Sequence, residues 1–342
     1  MRAKVLVVIA LLLGLHLALL LAGFVAPYDP TAQNRELSYC PPTRLHFEDG
    51  SGFHLRPFVY ASAVVMEGDQ AGSYQEDRNH EYSLRWLVTG PSYKLFGIYE
   101  STVHLFEVDE PGRIFLIGTD AYGRDEFSRV LFGGQLSVSA GIVATLITLL
   151  AGSIVGIIAG YYGGWVDELL MGVNELFLSL PWLYFLLGVR AFLPLHLSTL
   201  RTFFLLTGVI GLIGWARPAR LLRGVVLSSR NRNYVLAARG FGATDSYLLR
   251  RHILPELFGL LLTQAALLVP RYIAAEATLS FFGLGVNEPA ASWGNMLSAL
   301  QQYSVLVSYG WLLAPAGALV VTSVLYSSLA EVFHSRLKSH TT

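Results

Sequence analysis

Asp120 and Asp125, five residues apart, are the pair of carboxylates that could serve as a hydrolase's general acid and base. Such a pair works when its environment holds one member protonated and the other ionised, beside a nucleophile or metal ligands. Here the neighbours are Arg124, Ser128 and Arg129, so the residues read instead as an Arg–Asp network that holds structure. The nine histidines are scattered, with no HExxH; His46, His54, His80 and His104 have no spacing that suits a site. The single cysteine, Cys40, excludes an internal disulfide framework and a cysteine-based metal cluster. Set among Pro41, Pro42 and polar residues, it reads as a surface thiol. No G-x-x-x-x-G-K-[ST] occurs, so this chain does not cradle nucleotide phosphates by that route. No catalytic residue, metal site or cofactor is expected in it.

Two ionisable residues stand out because their surroundings are apolar. Arg271, next to Pro270, and Glu276 lie in the run 257–277. Charge in hydrocarbon is costly and ordinarily faces a cavity or a partner, so both are candidates for lining a pathway. Glu276 falls about 30 Å from Pro255 at 1.5 Å per residue, near a membrane boundary, where snorkelling or capping competes with a solute contact. Arg271 lies deeper. Five apart, the two do not share a helix face. A third feature is a basic loop, Arg217 to His252, with eight arginines (217, 220, 223, 230, 232, 239, 250 and 251) against one acid, Asp245. Arginines clustered there, in a chain of zero net charge, suggest contact with anionic lipid or a docking surface rather than nucleic acid.

The elements that must position these residues are membrane helices. The 342 residues are 53% hydrophobic and 14% charged, against about 25% charge in ordinary soluble domains. Apolar runs long enough to span, or nearly so, are Val5–Val25, Leu136–Gly160, Glu175–Leu193 (interrupted by Pro181), Thr202–Trp215 (extended from Leu200 to Ala219), Leu257–Ala277 and Trp311–Leu329 (with Pro315 inside). The first, preceded by Arg2 and Lys4, is longer than a signal-peptide core and reads as a retained anchor. Short-loop basic residues then put the N-terminus, the 217–252 stretch and the C-terminus with Arg336 and Lys338 on the cytoplasmic side. The segment 281–309 has no Lys or Arg and falls outside. Residues 27–115 are polar, with β-rich runs at Phe53–Val59, Tyr82–Val88, Tyr93–Tyr99 and Arg113–Ile117 and turns at Asp49-Gly50 and Gly90-Pro91. The fold class expected is an all-α integral membrane protein of about six transmembrane helices, carrying an inserted extracytoplasmic β-rich subdomain. The divisions are an anchor 1–25, the insertion 26–117, a pre-span segment 118–135, a membrane domain 136–333 and a tail 334–342.

Within the basic stretch, Tyr234–Arg239 reads as a short helix broken by Gly240 and Gly242. Thr244 or Asp245 then caps a second helix, Ser246–His252, which Pro255 ends. Small alanines on this corner permit close approach by a partner. Asp167 and Glu168, after Gly163-Gly164, read as a solvated turn.

Leu236-Ala237-Ala238, three residues, Gly242 and then Ile253-Leu254-Pro255 resembles the EAA coupling signature of ABC-importer permeases, with Leu236 in place of the usual glutamate. Four further strings resemble the dipeptide/oligopeptide/nickel branch of that family. They are Gly118-Thr119-Asp120 through Gly123-Arg124-Asp125 with Ser128-Arg129; Arg251 to Pro255; Ala275 to Val286; and Ser292-Trp293-Gly294-Asn295-Met296-Leu297. With Ala26-Pro27-Tyr28-Asp29-Pro30 beside the anchor, the resemblance covers roughly 117–333; the stretch 43–111 is additional to it.

The resemblance implies the permease fold of a type I importer, in a bacterial inner membrane. It implies one transmembrane subunit of a binding-protein-dependent system, paired with a second homologous permease. Two ATP-binding cassette subunits would hydrolyse ATP, and an extracytoplasmic solute-binding protein would choose the ligand. The solute would be a peptide or a similar small molecule. ATPase coupling would fall to Tyr234, Leu236, Ala237, Ala238, Arg239, Gly242, Ala243, Asp245, Ile253, Leu254 and Pro255. Gly118, Thr119, Asp120, Gly123, Arg124, Asp125, Trp293 and Gly294 would be structural. The rival readings are an ion-coupled secondary transporter, which predicts internal repeats and midplane charges, and a membrane enzyme using the outer β-rich stretch as its catalytic domain.

Overall fold

The computed structural model describes residues 2–49, 52–65, 73–95, 99–192 and 198–339. Thirteen helices are assigned among them: α1 Arg2–Leu20, α2 Ala22–Val25, α3 Glu126–Tyr162, α4 Gly164–Ser179, α5 Trp182–Phe192, α6 Thr199–Ile213, α7 Ala216–Arg230, α8 Asn233–Gly240, α9 Asp245–Leu248, α10 Leu254–Phe281, α11 Trp293–Ser298, α12 Tyr303–Ser308 and α13 Ala314–Ser339. Among the described residues, three stretches are long and apolar enough to cross a membrane, Glu126–Tyr162, Asp245–Phe281 and Gly310–Ser335. Arg201–Ile213 with Ala216–Arg230, bent by 41°, makes a fourth if that pair is one span. The chain divides into two compact units, one of Met1–Leu12, Val138–Leu279 and Val321–Thr342, the other of Leu13–Ser137 and Ser280–Val320.

The second unit carries an antiparallel meander, β1 His46–Asp49, β2 Gly52–Val65, β3 Ser73–Leu95 and β4 Tyr99–Val108, in the order β1-β2-β3-β4. The long strand β3 serves two neighbours. Its first part pairs with β2 (Val65↔Ser73 to Phe58↔Ser83) and its second with β4 (Leu84↔Val108 to Leu95↔Tyr99). Gly90-Pro91 interrupts the ladder as a register shift between Thr89 and Tyr93, not as a turn. Val59, Leu84, Phe106, Val108 and Ile114 form the buried core beneath the sheet. Asp49 pairs with Gly52; Gly50 and Ser51, half of the expected turn, lie outside the described residues.

Several expectations are corrected. Arg113–Ile117 is not a strand: side chains take its backbone donors, Tyr28 Oη that of Ile114 at 2.9 Å and Thr43 Oγ1 that of Phe115 at 3.0 Å. Cys40 is not a surface thiol but fully buried, and burial pushes its pKa up. The third apolar run begins within α4 and breaks at Leu180-Pro181, because proline cannot continue the ladder. Pro315 sits in the first turn of α13, where no N–H is required of it. Asp167 is no solvated turn, since both its oxygens accept from Arg223 at 2.5 Å.

The basic stretch is largely helical rather than a loop. In α7, Ala219, Leu222 and Val226 are buried at helical spacing, while Arg220 and Arg223 point to acids on α4. The buried face of α7 lies on a glycine stripe of α3. A Cβ at Gly152, Gly156 or Gly160 would stand 2.6 to 2.9 Å from the backbone oxygens of Trp215, Ala219 and Arg223. Small residues four apart let two membrane helices approach to backbone contact.

Pro255 does not end the corner either. From Asp245 to Phe281 the chain is one continuous helical stretch, with a π-type segment at Leu249–Ile253. Proline has no N–H for the carbonyl of Arg251, so the ladder slips: Leu254 N–H bonds to the Leu249 carbonyl, five residues back.

Candidate functional site

The helical corner is α8, a turn at 241–244, and α9. The C-cap of α8 is Phe241, whose N–H reaches the Ala237 carbonyl at 3.0 Å. Gly242 follows at φ +85°, a left-handed conformation that side chains resist. Of the two candidate caps, Thr244 performs the role, its hydroxyl 3.4 Å from Tyr247 N. Asp245 instead accepts from Tyr161 Oη at 2.5 Å, and Arg239 donates to that same hydroxyl at 2.9 Å. Arg230 Nη1 caps the end of α3 through the carbonyls of Gly160 and Tyr161, at 3.0 and 2.8 Å. Glu256 accepts from Tyr234 at 2.5 Å, from Arg232 at 2.9 Å and from Ser229. Beneath these, Val235, Leu248 and Ile253 are buried.

The outer face of this corner is apolar. Phe241 is 93% exposed, and Leu236, Tyr234 and Tyr247 are about half exposed. Ala237 is exposed, Ala238 and Ala243 partly so, and nothing lies within 4 Å of the space a Cβ at Gly242 would take. Leu254 and Pro255 are exposed at the start of α10. The corner is thus a braced projection with a hydrophobic tip.

The Gly-Thr-Asp and Gly-Arg-Asp strings fold as one tight loop whose ends pair, Glu126 N–H to the Gly118 carbonyl at 3.0 Å and Asp120 N–H to that of Arg124 at 3.1 Å. Gly123, at φ +70°, lies so close to Asn34 that a Cβ would stand 1.6 Å from its carbonyl oxygen. Thr119 Oγ1 donates to the Leu37 carbonyl at 2.6 Å and accepts from Cys40 N at 2.8 Å. Asp120 accepts from the N–H groups of Tyr122 and Arg124, and from Arg124 Nε at 2.7 Å. Asp125 caps α3, taking both the N–H and the hydroxyl of Ser128, at 2.8 and 2.6 Å. Its burial pushes its pKa up to about 6, against the pull of those hydrogen bonds. Asp120 and Asp125 thus each hold this loop through hydrogen bonds, with Asp125 Oδ1 left without a partner among the described residues.

Arg124 and Arg129 are 5% and 1% exposed, and both end on Glu288. Arg124 reaches it through Nη1, and through Nη2 at 3.3 Å; Arg129 does so through Nη2 at 2.9 Å, with its Nη1 on the Pro30 carbonyl at 3.2 Å. Trp293 is fully buried, its indole donating to the Val130 carbonyl at 2.9 Å. Gly294 is buried beside it, in a helix opened by a capping box of Ser292 and Asn295.

Glu276 is 2% exposed, which excludes snorkelling at a boundary. Arg271 is half-buried, its guanidinium 6.0 Å from the centre of the Trp182 ring. They are not brought together. Among the described residues, no group of three or more His, Cys, Asp or Glu could hold a metal ion. His46, His54 and His80 each pair with a nearby acid, while His104 lies between the carbonyls of Ala26 and Pro91.

Three residues that shape these regions, Glu288, Glu256 and Phe241, are not among the sequence-derived candidates. Glu288 had a signal, as the one charged residue in 281–309. Glu256, beside the Ile-Leu-Pro string, had only its sign, an acid next to a basic stretch. Phe241 had none, since its neighbours do not tell whether an aromatic at a helix end packs inward.

The sequence signature described as "Binding-protein-dependent transport system inner membrane component" matches residues 152–339. The oligopeptide transport system permease protein OppC of Bacillus subtilis (strain 168) is 38% identical over 231 residues, 67% of this chain and 73% of that protein. The dipeptide transport system permease protein DppC of the same strain is 36% identical over 63% of this chain and 65% of its own length. OppC of Escherichia coli (strain K12) is 37% identical over 65% of this chain and 70% of its own. Among solved structures, an amino acid ABC transporter with histidines aligns over 61% of this chain and 94% of its own, at TM-score 0.46 and 18% identity. The MetNI methionine ABC transporter in an inward-facing form aligns at TM-score 0.45 and 16% identity, over 60% and 95%. The sheet, residues 46–108, lies outside the matched family region.

Proposed function

The chain belongs to the family of binding-protein-dependent transport system inner membrane components, and on that premise we propose that it forms half of the translocation pathway of an ATP-driven peptide importer, driven through the α8–α9 corner. Six spans are inferred, with both termini cytoplasmic. The partners are a second homologous permease, two ATP-hydrolysing subunits and an extracytoplasmic binding protein. Relatives named for oligopeptide and dipeptide transport support peptides as the solute class.

The observation that carries the reading is the build of the corner. An apolar tip of Phe241, Leu236 and Tyr247 stands clear of the chain, while its base is tied to α3 and α10 by Tyr161, Asp245, Arg239 and Glu256. A surface that must transmit force needs both, a contact to be gripped and a rigid connection to the spans it moves. Leu236, where the resemblance has glutamate, joins the apolar tip; the carboxylates come from Asp245 and Glu256.

Burying the Phe241 ring against an ATPase subunit would remove on the order of 150 Å² of apolar surface, about 4 kcal/mol at 25 cal/mol/Å². Phe241→Ala forfeits most of that, so affinity for the ATPase subunits should fall roughly 30- to 150-fold at 1.4 kcal/mol per tenfold. Gly242→Val, forced to φ +85°, should abolish ATP-dependent uptake in proteoliposomes while leaving insertion and folding intact. Wild-type uptake by both variants would refute the assignment.

A further inference from the structure

Thr148 lies at the middle of the apolar stretch 136–160 of α3, twelve residues from either end. Its hydroxyl is 2.7 Å from the Gly211 carbonyl and 2.9 Å from Tyr272 Oη. These contacts hold Tyr272, with Arg271 beside it, against the middle of that stretch. Tyr272 Oη also fills the space beside Gly214, where a Cβ would stand 1.8 Å from it. Gly214 lies in the 41° break between α6 and α7. Irregular backbone at membrane depth persists where it is buried in protein or lines a cavity.

A cavity of about 70 Å³ is present there, lined by Trp182, Gly214, Arg217, Arg271, Tyr272 and Ala275 among others. Two guanidiniums line it and no carboxylate does. On the same helices Arg220 takes Glu175 and Arg223 takes Asp167. Arg217 and Arg271 make no ion pair among the described residues, and Arg271 has only the face of Trp182. Each carries five N–H donors in a planar fork that matches a carboxylate or phosphate. The start of α7, at Ala216, lines the same space, and a helix N-terminus adds positive potential.

We infer that this cavity is an oxyanion subsite, and that the group it takes is the carboxylate of the carried solute. It has room for such a group, so it would orient the solute by one end. A phospholipid phosphate offers the same chemistry. The inference rests on the importer reading, so its test separates the two.

The full importer, with partner subunits and binding protein, is reconstituted in liposomes of phosphatidylethanolamine and phosphatidylglycerol. Initial ATP-dependent uptake is measured for trialanine and for trialanine amide. Thermal stabilisation of the complex by each is measured in parallel. In the double variant Arg217→Gln with Arg271→Gln, uptake of the free acid should fall roughly 10- to 100-fold, the worth of one or two charge-assisted hydrogen bonds. Uptake of the amide should fall less than about threefold on the same grounds, and the acid-specific stabilisation should vanish. Arg271→Lys alone should keep part of both.

Equal loss for acid and amide, with less phospholipid phosphorus retained per complex, would overturn the carboxylate assignment in favour of lipid. An unaltered acid-to-amide ratio in an assembled double variant would overturn the subsite itself. Acid-specific stabilisation without uptake of any peptide by the wild type would support the subsite while contradicting the importer reading.

Discussion

Glu288 is half-exposed while the two arginines it holds are almost wholly buried, and this asymmetry makes a sharp prediction. Glu288→Gln keeps the shape of the side chain and removes its charge. Three guanidinium N–H contacts, two from Arg124 and one from Arg129, lose an ionised acceptor. Such hydrogen bonds contribute about 1.5–3 kcal/mol each when buried. The amide oxygen retains one, and solvent reaching Glu288 weakens the rest, leaving a net cost of about 2–3 kcal/mol. Asp120 cannot compensate, because Arg124 Nε and two backbone N–H groups already occupy it. For a chain of this size that corresponds to a fall in Tm of roughly 3–4 °C, measurable by tryptophan fluorescence in detergent. Arg129→Met removes one of the stranded cations and leaves a carboxylate that water can reach. In the background of Glu288→Gln it should therefore cost at least about 1 kcal/mol less than in the wild type. A Tm within about 1 °C of wild type for Glu288→Gln, or strict additivity of the pair, would refute the view that Glu288 neutralises the buried arginines.

The glycine stripe and the α3 cap allow two further tests. Gly156→Ala places a methyl 2.6 Å from the Ala219 carbonyl, so it should destabilise by about 1–3 kcal/mol through forced separation of α3 and α7. Gly224→Ala, in the interior of α7 with nothing within 4 Å, should instead stabilise by about 0.5–1 kcal/mol; the reverse order in thermal melts would contradict the packing described. At Asp125 the folded pKa of about 6 stands above the ordinary 3.8, so the folded state holds the proton more tightly. The stability this contributes is full below pH 3.8 and is lost as pH rises through 6, about 3 kcal/mol in all at 1.36 kcal/mol per unit. Asp125→Asn keeps a capping acceptor and cannot titrate. The wild type should therefore lose about 1.4 kcal/mol relative to Asp125→Asn between pH 5 and 7.5; a pH-independent difference would sink the assignment.

What the sequence made legible follows from which forces act locally. Apolar runs marked the candidate spans because the cost of a backbone in hydrocarbon is decided residue by residue, and Gly242 marked the break after α8. The break between α6 and α7 was hidden, because Gly214 and Arg217 differ from their neighbours only in what packs against them. The extent of α7 was hidden too. Its arginines suggested a loop, yet the apolar residues between them recur at helical spacing and need the Gly152–Gly156–Gly160 groove to be buried. A helix whose partner face is made of missing side chains leaves little trace in its own composition.

The same logic separates the two sets of arginines. Arg124 and Arg129 are paired within the chain with acids that arrive from 4 to 164 residues away, and so hold the loop before α3. Arg217 and Arg271 line a cavity that has no such acid among the described residues. Both pairs look alike in sequence, basic residues near apolar runs, and only the partners distinguish them. Arg271 is half-buried and Arg217 exposed, and with no carboxylate beside them among the described residues a counter-charge can come from outside the chain. For a component of a transport system, the outside candidates that can reach such a cavity are the solute, a lipid headgroup and a second subunit. Of these, only the solute passes through once per cycle, so only a carboxylate on the solute would make the two guanidiniums part of selection.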